Sequence, residues 1–105
     1  MTRILRDGTP DTYTADTEPN SAVLDASTWA GGSVEVTAAV TLTIVGTNCD
    51  NPASRTFVQC YDQDGVPLII TATDAGVWEL PTIFGFRYIK LTAVEPTEVY
   101  LFRAA

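Results

Sequence analysis

The 105-residue sequence contains no histidine and only one lysine, Lys90. Without histidine the chain lacks the commonest general base and metal ligand at neutral pH. Ser-His-Asp and Cys-His arrangements are thereby excluded. Carboxylates are plentiful, but none stands in a context that implies a raised pKa, so glycosidase-type chemistry is not expected. Cys49 and Cys60 are the only cysteines, too few for a zinc site. No window approaches the roughly 18 apolar residues of a membrane span. Met1–Asp7 holds no apolar run of signal-peptide length. The expectation is a non-enzymatic chain folded in a reducing cytosol, with both cysteines as thiols and no metal or cofactor.

Basic residues are scarce as well. Six stand against 13 carboxylates, a formal net charge of −7. That balance opposes nucleic-acid binding, which rests on phosphate neutralisation. It favours solubility and a basic protein partner. Length and an ordinary globular composition point to one domain with a single core.

Helical periodicity is missing too. Strand formers and turn formers alternate at intervals of roughly ten residues, which argues for an all-β sandwich or barrel. The reading is an antiparallel β-sandwich, jelly-roll-like, of about seven or eight strands with an extended N-terminal arm. Residues 1–21 form that strand and acidic arm, and residues 22–105 the sandwich. Within Asp7–Ser21, Pro10 and Pro19 deny ladder hydrogen bonds and four carboxylates keep the segment solvated. Tyr13 is its one apolar anchor; the segment is either a mobile linker in front of the fold or an arm that becomes ordered along a neighbouring subunit.

From Ser33 to Val45 the alternation is clean, with Val34, Val36, Ala38, Val40, Leu42 and Ile44 on one face. This is a long strand bent at Ala38-Ala39. Gly31-Gly32 before it and Asp50-Asn51-Pro52 after it read as turns. A three-residue loop, Gln63-Asp64-Gly65 with Gly65 left-handed, pairs Cys60 with Leu68 and Val58 with Ile70. The alternative two-residue loop buries the Gln59 amide among aliphatics. A second loop, Asp74-Ala75-Gly76, sets Ala72 opposite Trp78 and Ile70 opposite Leu80. One core face results: Val58, Cys60, Leu68, Ile70, Ala72, Trp78 and Leu80. Phe57, Tyr61 and Ile69 are left facing outward.

Gly85–Phe102 reads as two paired antiparallel strands that are apolar on both faces. Ile89, Leu91, Ala93, Val99 and Leu101 share one face; Phe86, Tyr88, Tyr100 and Phe102 crowd the other. A half-exposed strand alternates apolar with polar, so this pair needs cover on its second face. The turn Val94–Glu98 pairs Leu91 with Leu101 and sets Lys90 opposite Phe102. The partner-binding residues expected from these faces are Tyr13, Phe57, Tyr61, Tyr88, Tyr100 and Phe102.

Asp62-Gln63-Asp64-Gly65 has the alternate carboxylates of a calcium loop, yet it lacks the later acidic ligand and a hairpin turn explains all four residues. Pairing across the Asp50–Ser54 loop puts Cys60 opposite about position 43, a register that forbids a disulfide with Cys49. Trp29 beside Gly31-Gly32 closes one end of a sandwich or, alternatively, stacks on a sugar.

The runs Gly76-Val77-Trp78-Glu79-Leu80-Pro81 and Phe84-Gly85-Phe86-Arg87-Tyr88-Ile89-Lys90-Leu91 resemble a pattern in small β-sandwich virion proteins of tailed bacteriophages. The resemblance implies a capsid decoration (cement) protein on the virion surface, made in the host cytoplasm. Such a protein is a homo-oligomer, with a trimer favoured, and its partner is the major capsid protein. The alternative is a carbohydrate-binding β-sandwich module for host-surface adhesion, using Trp29 or Tyr13. A third reading is a minor domain of a larger host-adhesion protein.

Overall fold

The computed structural model describes residues 12–27, 29, 31–80 and 86–104. The fold is an antiparallel β-sandwich. One sheet runs β1 (Thr12–Ala15), β9 (Thr97–Ala104), β3 (Gly31–Val36), β7 (Gly76–Glu79). The other runs β2 (Leu24–Asp25), β8 (Tyr88–Thr92), β4 (Val40–Thr47), with β5 (Val58–Gln59) and β6 (Ile69–Ala72) both on the far side of β4. Residues 1–11 of the expected arm lie outside the described residues, as do Pro81, Phe84 and Gly85.

β5 and β6 occupy one strand position. Val45 pairs with Gln59 and Thr43 with Ile69. Ile44, between them, accepts from the Cys60 amide and donates to the Leu68 carbonyl, both at 3.0 Å. The edge strand is therefore continuous in space, with residues 61–67 looped out of it. Gly65, at φ +79°, turns that loop. The Asp62 carboxylate holds it by accepting the Asp64 and Val66 amides at 2.8 and 2.9 Å. Counting β5 and β6 once gives eight strand positions. Successive strands then change sheet at every step except β4 to β5, which is the order of a jelly roll.

The core follows the alternation except at the bend, where Ala38 is exposed and Val40 half-buried. Val34, Val36, Leu42, Ile44, Ile89, Leu91 and Val99 are essentially fully buried between the sheets. Each stabilises the fold by about 1.5–3 kcal/mol through transfer from water. The bend at Ala38-Ala39 is where the chain leaves β3 in one sheet and enters β4 in the other. Gly31 and Gly32 are the first residues of β3 rather than a turn.

Three strand pairings differ from expectation. Tyr61 bridges Pro67, and the Leu68 amide donates to the Cys60 carbonyl at 2.9 Å, so the expected hairpin register holds at its tip. It goes no further, because Val58 and Ile70 both pair with β4 instead of each other. Val58, set opposite Gly46 near the end of β4, is 66% exposed rather than in the core. Ala72 does not face Trp78 across a hairpin, since β6 and β7 lie in opposite sheets. Leu91 and Leu101 likewise belong to opposite sheets, joined by an arch at Ala93–Pro96. Period-two alternation fixes which face a residue takes, and that survives; a hairpin and an inter-sheet arch give the same faces.

Residues 12–21 belong to the sandwich. β1 pairs with β9 from Thr12↔Tyr100 to Ala15↔Thr97. Tyr13 and Ala15 point into the core at 5% and 0% exposure. The Tyr13 hydroxyl donates to the Ala22 carbonyl at 2.6 Å and accepts from the Leu91 amide at 3.3 Å, tying β1 to the opposite sheet.

Candidate functional site

The two outer faces of the sandwich differ, and the difference locates the candidate site. On the five-stranded sheet the central outward row is Lys90–Val45–Gln59. It is roofed by the chain itself. Phe57 packs on it with its ring 4.5 Å from the Lys90 ammonium. Lys90 donates to the Glu18 carbonyl at 2.8 Å and lies 3.5 Å from its carboxylate. Glu18 also accepts the Phe57 amide at 3.0 Å. Lys90, Val45 and Phe57 are all buried as a result.

On the four-stranded sheet the outward residues of β9, β3 and β7 lie in two rows. Tyr100 sits between Thr12 and Glu35, and Glu35 in turn faces Val77. Ser33 sits between Phe102 and Glu79. Neighbouring Cβ atoms in such rows are about 4.5–5.5 Å apart, so the side chains form one surface. Phe102 is 61% exposed, Val77 65% and Tyr100 39%. Glu35, Glu79 and Glu98 are exposed among them. The Tyr100 hydroxyl donates to Glu98 at 3.3 Å. Among the described residues none of these three carboxylates is in an ion pair.

The six expected partner-binding residues therefore separate. Tyr100 and Phe102 share the open face. Tyr61, at 53% exposure, stands on the looped-out segment of the other sheet. Tyr88 is half-buried, with the Arg87 guanidinium 5.4 Å from its ring and Arg87 itself paired with Asp50. Tyr13 and Phe57 are buried within the chain. The local pattern of one hairpin does not reach Glu35, Glu79 and Val77, which join the face from β3 and β7. Their membership follows from β9 pairing with β3 and β3 with β7, which no local pattern reveals.

Other candidate chemistry is sparse. Among the described residues no three His, Cys, Asp or Glu side chains gather as metal ligands. Cys49 and Cys60 are both free, and burial pushes the Cys60 thiol up to about 11. Such a thiol is inert at neutral pH. Trp29 is 3% exposed, with the Arg103 guanidinium 5.0 Å from its ring. Neither Trp29 nor Tyr13 offers a ring face to a sugar. An open cleft of about 390 Å³ lies between Gly46, Asn48, Cys60, Tyr61 and Phe86, and no charged group lines it.

A comparison of this chain with family models, with curated proteins and with solved structures finds no match.

Proposed function

We propose that this chain is a non-enzymatic structural protein that works by association, as a capsid decoration protein binding a preassembled shell. The observation that carries the reading is the pair Tyr100 and Phe102, projecting from an interior strand of the sheet with no cover from the described chain. Isolated apolar residues on a surface are ordinary, but here Val77, Tyr100 and Phe102 lie in adjacent rows of one sheet. Covering one such ring fully is worth about 1.5–3 kcal/mol. The jelly-roll strand order and the resemblance at Gly76–Pro81 and Phe84–Leu91 support the same reading. Fold alone carries little weight, since jelly rolls serve capsid and lectin domains alike.

The mechanism is mechanical: a protein bound across subunit boundaries raises the free energy needed to separate them. Purified chain mixed with shells assembled without it should co-sediment saturably. The Tyr100→Ser/Phe102→Ser pair should weaken binding at least about tenfold, from a loss of roughly 1–2 kcal/mol per truncated anchor. A monodisperse monomer at micromolar concentration, with both substitutions silent in that assay, would overturn the proposal.

A further inference from the structure

We infer that the partner of this open face is a basic protein surface, whose arginine or lysine side chains sit against Tyr100 and Phe102. The inference rests on the association proposed above and names the chemistry of its partner. Every charged side chain in and beside the two rows, among the described residues, is a carboxylate. Glu35 lies beside Tyr100 and diagonal to Phe102, Glu79 shares a row with Phe102, and Glu98 takes the Tyr100 hydroxyl. Aromatic ring faces carry the negative end of their quadrupole outward and attract guanidinium groups. A guanidinium stacked on Phe102 can simultaneously reach a carboxylate with its planar fork.

The chain's own described cations are held elsewhere. Arg87 is with Asp50, Lys90 with Glu18, and Arg103 lies over Trp29. Arg55 sits in the segment that leads to β5 of the other sheet. A second copy of the chain would bring three carboxylates against three, a like-charge arrangement that interfaces select against. Nucleic acid and anionic lipid carry the same sign as the face and as the whole chain at −7. A partner with arginine or lysine is the chemistry that complements the surface.

The test is an amide-resolved NMR titration of the intact labelled chain at low salt. One probe is a hexapeptide of alternating glycine and arginine; the other has glutamine in place of arginine. The arginine peptide should move the amides of Ser33, Glu35, Val77, Glu79, Tyr100 and Phe102. It should bind at least about fivefold more tightly than the glutamine peptide. Each of Glu35→Gln and Glu79→Gln should weaken it about two- to fivefold, the scale of one exposed ion pair. Phe102→Ser should weaken it by a similar factor of about two to five, through the lost ring contact.

Equal binding of both peptides at this face would overturn the inference while leaving the association reading intact. Shifts as large at Asp62, Asp64 and Asp74 as on the face would overturn it too, as general attraction to an acidic chain. Dilution-dependent shifts of the face residues without peptide would make a second copy the occupant. Binding that appears only in Arg3→Gln/Arg6→Gln would assign the face to the chain's own charges. The association reading fails differently: Tyr100→Ser and Phe102→Ser would then change neither shell binding nor either titration.

Discussion

Glu18→Ala should release the segment that roofs the five-stranded sheet, and its cost can be worked from the contacts. Glu18 holds two groups through its carboxylate, the Lys90 ammonium at 3.5 Å and the Phe57 amide at 3.0 Å. Its carbonyl, 2.8 Å from Lys90, survives the substitution. Removing one partner of a fully buried ion pair costs about 3–5 kcal/mol, and of an exposed pair about 0–1. The Lys90 side chain is 8% exposed and that of Glu18 23%. With part of the carboxylate in water and the carbonyl still in place, the ion-pair loss should be near 1 kcal/mol, toward the exposed end. The amide of Phe57, left without its acceptor, adds about 1–3 kcal/mol. The sum of roughly 2–4 kcal/mol should lower Tm by about 10–25 °C for a domain of this size. Glu18→Gln keeps an acceptor for Phe57 and should cost only about 1 kcal/mol. Lys90→Met keeps the apolar stem beneath Phe57, and the Glu18 carboxylate it leaves keeps its water and the Phe57 amide, so the cost should be about 1 kcal/mol. Urea unfolding at neutral pH measures all three, and amide exchange across residues 12–21 reports the local release. A Glu18→Ala cost below about 0.5 kcal/mol, or a larger cost for Lys90→Met, would refute the reasoning.

Two further outcomes follow from the same geometry. Burial pushes the Tyr13 hydroxyl to about 12 and the Cys60 thiol to about 11, from ordinary values of 10.0 and 9.0. Both folded-state values lie above the unfolded ones, so the native state keeps its protons longer. Their contribution is fully present below pH 9, falls through 9–11 for Cys60, and falls through 10–12 for Tyr13. Tyr13→Phe should abolish the upper part of that decline in urea unfolding. It should also cost about 1–3 kcal/mol at neutral pH, because the Leu91 amide and Ala22 carbonyl lose their partner; an unchanged slope above pH 10 would contradict the burial argument. In thermal melts Gly46→Ala should cost about 1–3 kcal/mol, since its Cβ would sit 2.8 Å from Cys60 Sγ and 2.9 Å from the Tyr88 carbonyl oxygen. Gly31→Ala meets nothing within 4 Å and should be close to neutral.

What was legible in the sequence was one-dimensional. Alternation placed Val34, Val36, Leu42 and Ile44 on one face, and Ile89, Leu91, Val99 and Leu101 on another, and all eight are buried. Gly65 was legible as left-handed because the loop chemistry demands it there. Partners were not legible. The turns at Asp74–Gly76 and Val94–Glu98 carry ordinary turn residues, and nothing local distinguishes a hairpin from an arch. Parity turns the Phe57 ring outward, as observed, yet the ring is buried beside Glu18, 39 positions away along the chain. The polar segment around Tyr13 suggests an anchor for a neighbour. The Tyr13 hydroxyl instead bonds Leu91, 78 positions away. Long-range cover of this kind leaves no trace in a ten-residue window.

The arch between β8 and β9 changes what their apolar second faces mean. Had the two strands formed one hairpin, a single cover would have sufficed for Tyr88, Lys90, Tyr100 and Phe102 together. Because they lie in opposite sheets, their outer faces point away from each other and need separate cover. The β8 face receives it from Phe57 and Glu18, within the chain. No described segment crosses the β9 face, where Tyr100 and Phe102 stand among carboxylates instead of aliphatics. A face designed only to stay soluble has no use for two rings on an interior strand, whose positions Ser33 and Glu35 fill so readily next door. A face meant for another chain of this protein would not ring them with three carboxylates that pair with no cation among the described residues. The combination of rings and carboxylates is coherent if the missing cover is positively charged, which is why charge, more than apolar area, is the variable the titration isolates.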